Sequence, residues 1–369
     1  MRDILVKVAK ILLLLVLAVL VLVGIFILTT LLGWPRWAAI FIFLGLLSIF
    51  FALMVVRKIW LRKREQRFVD QIIEQDNARL KGLSQKEREQ SKALQKQWKE
   101  AIETLRRSHL RKYGNPLYVL PWYMVLGESG SGKTTAIKSA NLSSPFATMA
   151  QTSGISGTKN CDWWLFEQAI ILDTAGRYAI PVDEGRDKEE WRKFLNLLTK
   201  YRKKEPLNGL IVTIPADKLL QGDEAALEED ARAIRRRIDE LMLALGTKFP
   251  VYVLITKCDL IQGMTEFCDQ LPEEALKQAM GAINRDLGNS AVEFLSKAMD
   301  SISEKLRDLR LLLLHKAKGR VEPGLVLFPE EFDRLRPGLE VFIKTAFQEN
   351  PYQETPLLRG LFFSSGRQE

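Results

Sequence analysis

Eight consecutive residues, Gly127-Glu128-Ser129-Gly130-Ser131-Gly132-Lys133-Thr134, have the composition of a loop that wraps phosphate. Their small side chains let backbone N–H groups curl around anionic oxygens, and the helix that follows points its N-terminus at them. Lys133 would reach the β- and γ-phosphates, Thr134 would offer a hydroxyl to Mg²⁺, and Thr135 extends the cradle. The pattern carries weight because of its context. The apolar run Tyr123-Met124-Val125-Leu126 reads as a strand leading directly into it.

A second apolar run, Ala169-Ile170-Ile171-Leu172, ends in Asp173-Thr174-Ala175-Gly176. A strand that closes on Asp, with Gly three residues later, is the second half of a nucleoside-triphosphate site. Asp173 would hold Mg²⁺ through water, and the Gly176 amide would sense the γ-phosphate. Between the two elements, residues 151–160 form a Ser/Thr/Gly-rich loop with the composition of a switch. Thr158 is the choice for a second metal hydroxyl, Thr152 competes with it, and a loop in which neither touches metal is the third option. Arg177 occupies the position where many GTPases carry a water-orienting glutamine. It could stabilise charge in the transition state alongside Lys133, or serve as a salt-bridge or partner residue, and slow NTP hydrolysis is expected.

The base would be read further along. Val251 to Ile255 reads as a strand, and Thr256-Lys257-Cys258-Asp259 follows it. A carboxylate accepts two hydrogen bonds from guanine N1–H and its exocyclic amine, whereas adenine would leave that acceptor unpaired. GTP is therefore favoured, with ATP the alternative, since Thr256 reaches less far than asparagine would. No convincing downstream guanine loop is legible.

These motifs call for an α/β frame, a P-loop GTPase-like domain with helical additions over about 113–277 and a helical insert plus C-terminal completion over 278–369. Gly209 to Pro215 supplies a further buried strand. In the insert, Leu295, Met299, Ile302 and Leu306 fall on one helical face, and Leu311–Leu314 reads as core in preference to a membrane contact. Residues 57–112 read as a basic helical linker whose Leu94, Trp98, Ile102 and Leu105 make one apolar stripe. That linker holds 17 Lys/Arg against 8 Asp/Glu, a surplus equal to the +9 of the whole chain. The rest is balanced, and no nucleic-acid fold signature accompanies the block, so nucleic acid is not expected as a partner.

The basic block follows an apolar segment, residues 1–56. Ile11 to Pro35 and Trp37 to Val56 lack charges, and each run has the length a membrane helix needs. They predict a two-helix transmembrane hairpin, with spans of about 11–32 and 37–56 broken at Gly33-Trp34-Pro35, facing the lipid bilayer. Lys/Arg flank both ends of the hairpin and only Arg36 lies between, which puts the N-terminus and the P-loop domain in the cytoplasm, on a multi-pass inner-membrane protein. The first run exceeds the apolar core of a signal peptide. Three scattered cysteines exclude a disulfide framework or a zinc site.

Taken together, these residues resemble the N-terminal part of the IcmF/TssM family. The resemblance rests on the phosphate loop, Gly157-Thr158-Lys159-Asn160-Cys161-Asp162-Trp163-Trp164, Asp173-Thr174-Ala175-Gly176-Arg177-Tyr178 and Thr256-Lys257-Cys258-Asp259-Leu260-Ile261. Phe328-Pro329, Leu358-Arg359-Gly360-Leu361-Phe362-Phe363 and Ser364-Ser365-Gly366 extend it. It implies a scaffold subunit of a type VI secretion membrane complex, homo-oligomeric there. Implied partners are a TssL/DotU-like inner-membrane protein, baseplate components, and a TssJ-like lipoprotein that would contact a region absent from this chain. Family members are expected to continue into a third span and a periplasmic region, making this chain a fragment. Three functions compete: a nucleotide-switched scaffold, a structural anchor with a dispensable nucleotide site, and a membrane GTPase of another class. Polar residues within the spans would favour the last.

Overall fold

The computed structural model describes scattered positions between 31 and 56, then residues 85–140, 142–143, 161–276, 278–286, 288, 290–316, 321–350 and 354–366. The chain divides into two compact units, Met1–Gly82 and Leu83–Glu369.

In the second unit, seven strands form one mixed sheet: β1 (Trp122–Leu126), β2 (Cys161–Leu165), β3 (Ile170–Thr174), β4 (Gly209–Pro215), β5 (Pro250–Thr256), β6 (Met280–Ile283) and β7 (Leu357–Phe363). Their order is β2-β3-β1-β4-β5-β7-β6. The five inner strands run parallel, and β2 and β6 close the edges antiparallel. Strands such as Ile-Ile-Leu-Asp-Thr, buried along their whole length, are the near-continuous apolar runs that a sheet covered on both faces requires. The chain leaves β1 toward β3 and leaves β4 toward β5. The crevice at the carboxyl ends of β1 and β4 is therefore the topological switch point, where α/β sheets bind ligands.

The helices longer than one turn are α1 (Gln85–Arg107), α2 (Lys133–Ser139), α3 (Glu184–Tyr201), α4 (Ala216–Gln221), α5 (Glu224–Leu245), α6 (Met264–Asp269), α7 (Ala291–Lys316), α8 (Pro323–Asp333) and α9 (Arg336–Ala346). Helix α1 carries the apolar stripe of the linker, and Leu94, Trp98, Ile102 and Leu105 are all buried. Trp98 packs edge-on to Trp163 at 4.8 Å, edge-on to Phe194 at 5.5 Å and stacked on Tyr201 at 5.7 Å. One indole thus joins α1 to β2 and to α3.

Two expectations are corrected. Among the described residues no helix is long and apolar enough to cross a membrane, so the fold described is α/β with a mixed sheet and without the transmembrane hairpin. A charge-free run of sufficient length is necessary for a span but does not by itself establish one. Most of the two runs, about 11–32 and 37–56, lies outside the described residues, as does the linker over 57–84. Second, Leu311 and Leu312 are not core: they are 62% and 56% exposed, because α7 outruns the face that buries Leu295, Met299, Ile302 and Leu306.

Candidate nucleotide site

The loop 127–132 leaves β1 and turns into α2 through two glycines in the left-handed region, Gly130 (φ 77°) and Gly132 (φ 79°), which residues with a Cβ avoid. Lys133 folds back over the loop it follows. Its Nζ donates to Gly127 O at 2.9 Å and Glu128 O at 2.7 Å, so the cation braces the cradle from inside. Ser131 ties the loop to β4 through a 2.9 Å hydroxyl contact with Thr213, and Thr256 Oγ1 donates to Ser131 O at 2.5 Å. The loop therefore stands on β1, β4 and β5 at the switch point. Glu128 turns its carboxylate outward to Lys218 on α4 (2.8 Å), which also pairs with Asp230 on α5.

Asp173 ends β3 beside this loop. Its Oδ2 accepts from Thr134 Oγ1 at 2.6 Å, while its buried Oδ1 has no hydrogen-bond partner among the described residues. Gly176 touches the phosphate loop directly. A Cβ there would overlap Ser129 N and lie 2.7 Å from the Glu128 carbonyl carbon, so only glycine permits the approach. Arg177 is engaged by two acids of α3: Glu190 at 2.7 Å and Asp187 at 3.3 Å. Asp187 also accepts from the amides of Val182 and Asp183 at 2.9 and 3.0 Å, which fixes the loop after Gly176 to α3. Of the two roles open to Arg177, the described arrangement displays the salt bridge.

At the other end, Lys257 is the one non-glycine with positive φ (55°) among the described residues. Such strain gathers at functional sites. It carries the chain from buried Thr256 to Asp259, whose Oδ1 accepts from Ser365 Oγ at 2.9 Å. Ser364 is locked beside it, donating its amide to Ile255 O at 2.7 Å and accepting from Cys258 N at 3.1 Å. The segment Ser364-Ser365-Gly366, which the sequence offered only as part of the family resemblance, thus lies against Asp259. Its signal was present, three small residues directly after an apolar strand. Its partner strand β5 lies about a hundred residues away, and sequence does not announce that pairing.

These parts face one cleft of about 1000 Å³. Its walls include Ser129, Gly130, Ser131, Gly132, Lys133, Thr134, Thr135, Gly176, Arg177, Thr256, Lys257, Asp259, Ser364 and Gly366. Of the other expected residues, Asp173 is hydrogen-bonded to Thr134 on this cleft's wall, while Gly127 and Glu128 form the loop's entry. Thr158 and its competitor Thr152 lie outside the described residues.

Burial shapes the electrostatics. Desolvation pulls the Lys133 ammonium below its usual range, against the opposing pull of Asp173 and Glu128. Desolvation likewise pushes the Asp173 carboxyl up, against the Thr134 hydrogen bond and the Lys133 charge. A raised folded-state pKa means that ionised Asp173 opposes folding at neutral pH, and the opposition fades as pH falls through that pKa. Asp173→Asn keeps an acceptor for Thr134 and removes the buried charge. It is expected to raise the thermal midpoint of nucleotide-free protein by a few degrees, on the order of 1 kcal/mol. A lowered midpoint in differential scanning calorimetry would mean that the Lys133–Asp173 attraction outweighs burial.

Comparison with known proteins bears on the family resemblance. The model of the IcmF-related N-terminal domain matches residues 184–369. The chain is also 40% identical over 291 residues to the type VI secretion system component TssM1 of Pseudomonas aeruginosa, an alignment covering 76% of this chain and 26% of that relative. The aligned part thus spans about a quarter of the relative's length. With a family model matching half of its residues and the resemblance carried by the loops above, the chain belongs to the IcmF/TssM family.

Proposed function

We propose that this chain is the nucleotide-binding part of a scaffold subunit of a type VI secretion apparatus, associated with the bacterial inner membrane. Its cleft binds GTP in preference to ATP, together with Mg²⁺, and the bound state biases partner docking. The observation that carries the reading is convergence. The phosphate loop, the Thr134–Asp173 pair, Gly176 and a serine-braced Asp259 come from segments spread over some 240 residues and meet at one cleft. The relative's own role in type VI secretion supports the assembly. A TssL/DotU-like protein, baseplate components and a TssJ-like lipoprotein are the partners this reading entails.

The residues present fit a magnesium-bound triphosphate. The orphaned Oδ1 of Asp173 and the Thr134 hydroxyl are the oxygens a hard cation takes. When bound, the ion would neutralise charge on the β- and γ-oxygens. Lys133 would exchange its two carbonyl contacts for phosphate oxygens, and the Gly176 amide would report whether the γ-phosphate is there. From Gly176 the route to the surface is short: Arg177 grips Asp187 and Glu190 on α3, and α3 meets α1 through Phe194, Tyr201 and Trp98. A shift at Gly176 would be passed along these contacts to the linker helix, the element this proposal requires to have two states.

The base-reading role of Asp259 has its own test. Asp259→Ala is expected to weaken GTP binding by about a hundredfold, because guanine's N1–H and amine lose their acceptor, while ATP binding changes little. Competitive titration with a fluorescent nucleotide reads both affinities. Equal losses for GTP and ATP would assign Asp259 to the fold of the cleft instead. The rival reading, an anchor whose nucleotide site is dispensable, draws on the ion-paired Arg177. Partner affinity measured with and without GTP separates the two, since a ligand bound equally by both states shifts nothing.

A further inference from the structure

Helix α4 begins where β4 ends, and the register sets Pro215, its N-cap, beside Thr256 at the end of β5. Two consecutive side chains of its first turn, Asp217 and Lys218, reach the two ends of the nucleotide cleft.

Lys218 serves the phosphate end. Its Nζ donates to the Glu128 carboxylate at 2.8 Å and pairs also with Asp230 on α5. The three side chains are only about a quarter exposed. Burial works against the Lys218 ammonium, but Asp230 and Glu128 more than offset it and hold the group above its usual range. Glu128 is the loop residue whose carbonyl accepts from Lys133 at 2.7 Å and beside which only glycine fits at position 176. A cation on α4 thus pins the one residue against which both Lys133 and Gly176 rest.

Asp217 serves the base end. Its Oδ2 lies 3.7 Å from Lys257 Nζ, and its buried Oδ1 has no hydrogen-bond partner among the described residues. Lys257 has φ 55°, in the left-handed region, and that backbone carries its stem along the cleft wall two residues before Asp259. The stem also passes the phosphate loop, since a Cβ built on Gly132 would lie 3.8 Å from Lys257 Cγ. A half-exposed pair at this distance adds little to stability. Its effect is on direction: it fixes the free end of a side chain whose backbone is already set.

We infer that Asp217 and Lys218 are positioning residues with divided labour: Lys218 holds the phosphate loop through Glu128, and Asp217 holds Lys257 along the wall that the base enters. Neither touches the nucleotide. The inference rests on the nucleotide reading above and adds that phosphate affinity and base affinity are set separately, by adjacent residues of one helical turn.

The test is calorimetric titration of the full chain with magnesium–GTP, magnesium–ATP and magnesium–tripolyphosphate, which has no base. Lys218→Met keeps the stem and removes the cation. It should weaken all three ligands alike, by about tenfold, the scale of one charge-assisted hydrogen bond. Lys218→Arg, which keeps the cation, should recover most of that loss and so separates charge from fold. Asp217→Asn keeps the shape and removes the charge. It should weaken GTP and ATP about tenfold while tripolyphosphate stays within about twofold. Combined with Lys257→Met it should cost no more than Lys257→Met alone, because the acid acts through the lysine. Equal losses of GTP and tripolyphosphate in Asp217→Asn would overturn the inference, as would additive losses in that double variant. Tripolyphosphate binding by Lys218→Met within about twofold of wild type would overturn it too. Any of these alongside a wild type that binds nucleotide sinks the inference alone, whereas a wild type that binds none of the three ligands takes the nucleotide reading down with it.

Discussion

Trp98→Ala is expected to destabilise the protein by about 3–5 kcal/mol, the range for deleting a buried aromatic from a core. The indole is fully buried and meets four other rings, those of Trp122, Trp163, Phe194 and Tyr201, at 4.8 to 6.5 Å. No single neighbour can move into the vacated space without leaving another, because they belong to β1, β2 and α3. The cavity therefore stays open, and the cost falls at the upper end. Chemical denaturation followed by far-UV circular dichroism gives the number. Trp98→Phe should recover roughly half of the loss, since a smaller ring keeps part of the cluster. A loss below about 1 kcal/mol for the alanine variant would mean that α1 is only loosely applied to the sheet, and the proposed route from Gly176 to α1 would lose its last link.

Lys133→Ala is expected to weaken magnesium–GTP binding by a hundredfold or more, equivalent to about 2.7 kcal/mol. The ammonium makes two short contacts to the Gly127 and Glu128 carbonyls, and hydrogen bonds to charged groups contribute about 1.5–3 kcal/mol each. Those contacts brace the cradle and, on the proposed reading, would be exchanged for phosphate oxygens on binding. Alanine removes the charge that pays for burying phosphate and also releases the loop. Calorimetric titration of wild type and variant measures the difference. Retention of binding within about fivefold would show that backbone amides alone hold the phosphates.

Much of the site could be read before the fold was known, and the reasons are local. A phosphate loop is a contiguous stretch whose small residues, lysine and threonine act within one strand-to-helix turn. Asp173 ends an apolar run, and its bond to Thr134 joins the end of β3 to the first turn of α2, which follows the neighbouring strand β1. The stripe Leu94, Trp98, Ile102, Leu105 has helical spacing, and all four are buried. What escaped was long-range. Ser365 braces Asp259 only because β7 lies beside β5, a pairing set by global topology. The acids that hold Arg177 sit on α3, where they read as ordinary helix-surface charge. Leu311 and Leu312 continue an apolar run that begins in the core, and only the length of α7 relative to its neighbours puts them outside. The expected transmembrane hairpin rested on two charge-free runs, the break between them and their Lys/Arg flanks, and no described helix meets the requirement of a span.

The central claim is that the cleft binds a guanine nucleotide, and equilibrium calorimetry of magnesium–GTP and magnesium–ATP with the folded protein tests it most directly. Binding of GTP in the micromolar range, with ATP at least tenfold weaker, is the predicted result. No heat from either nucleotide, with the protein shown to be folded by its circular dichroism, would contradict it.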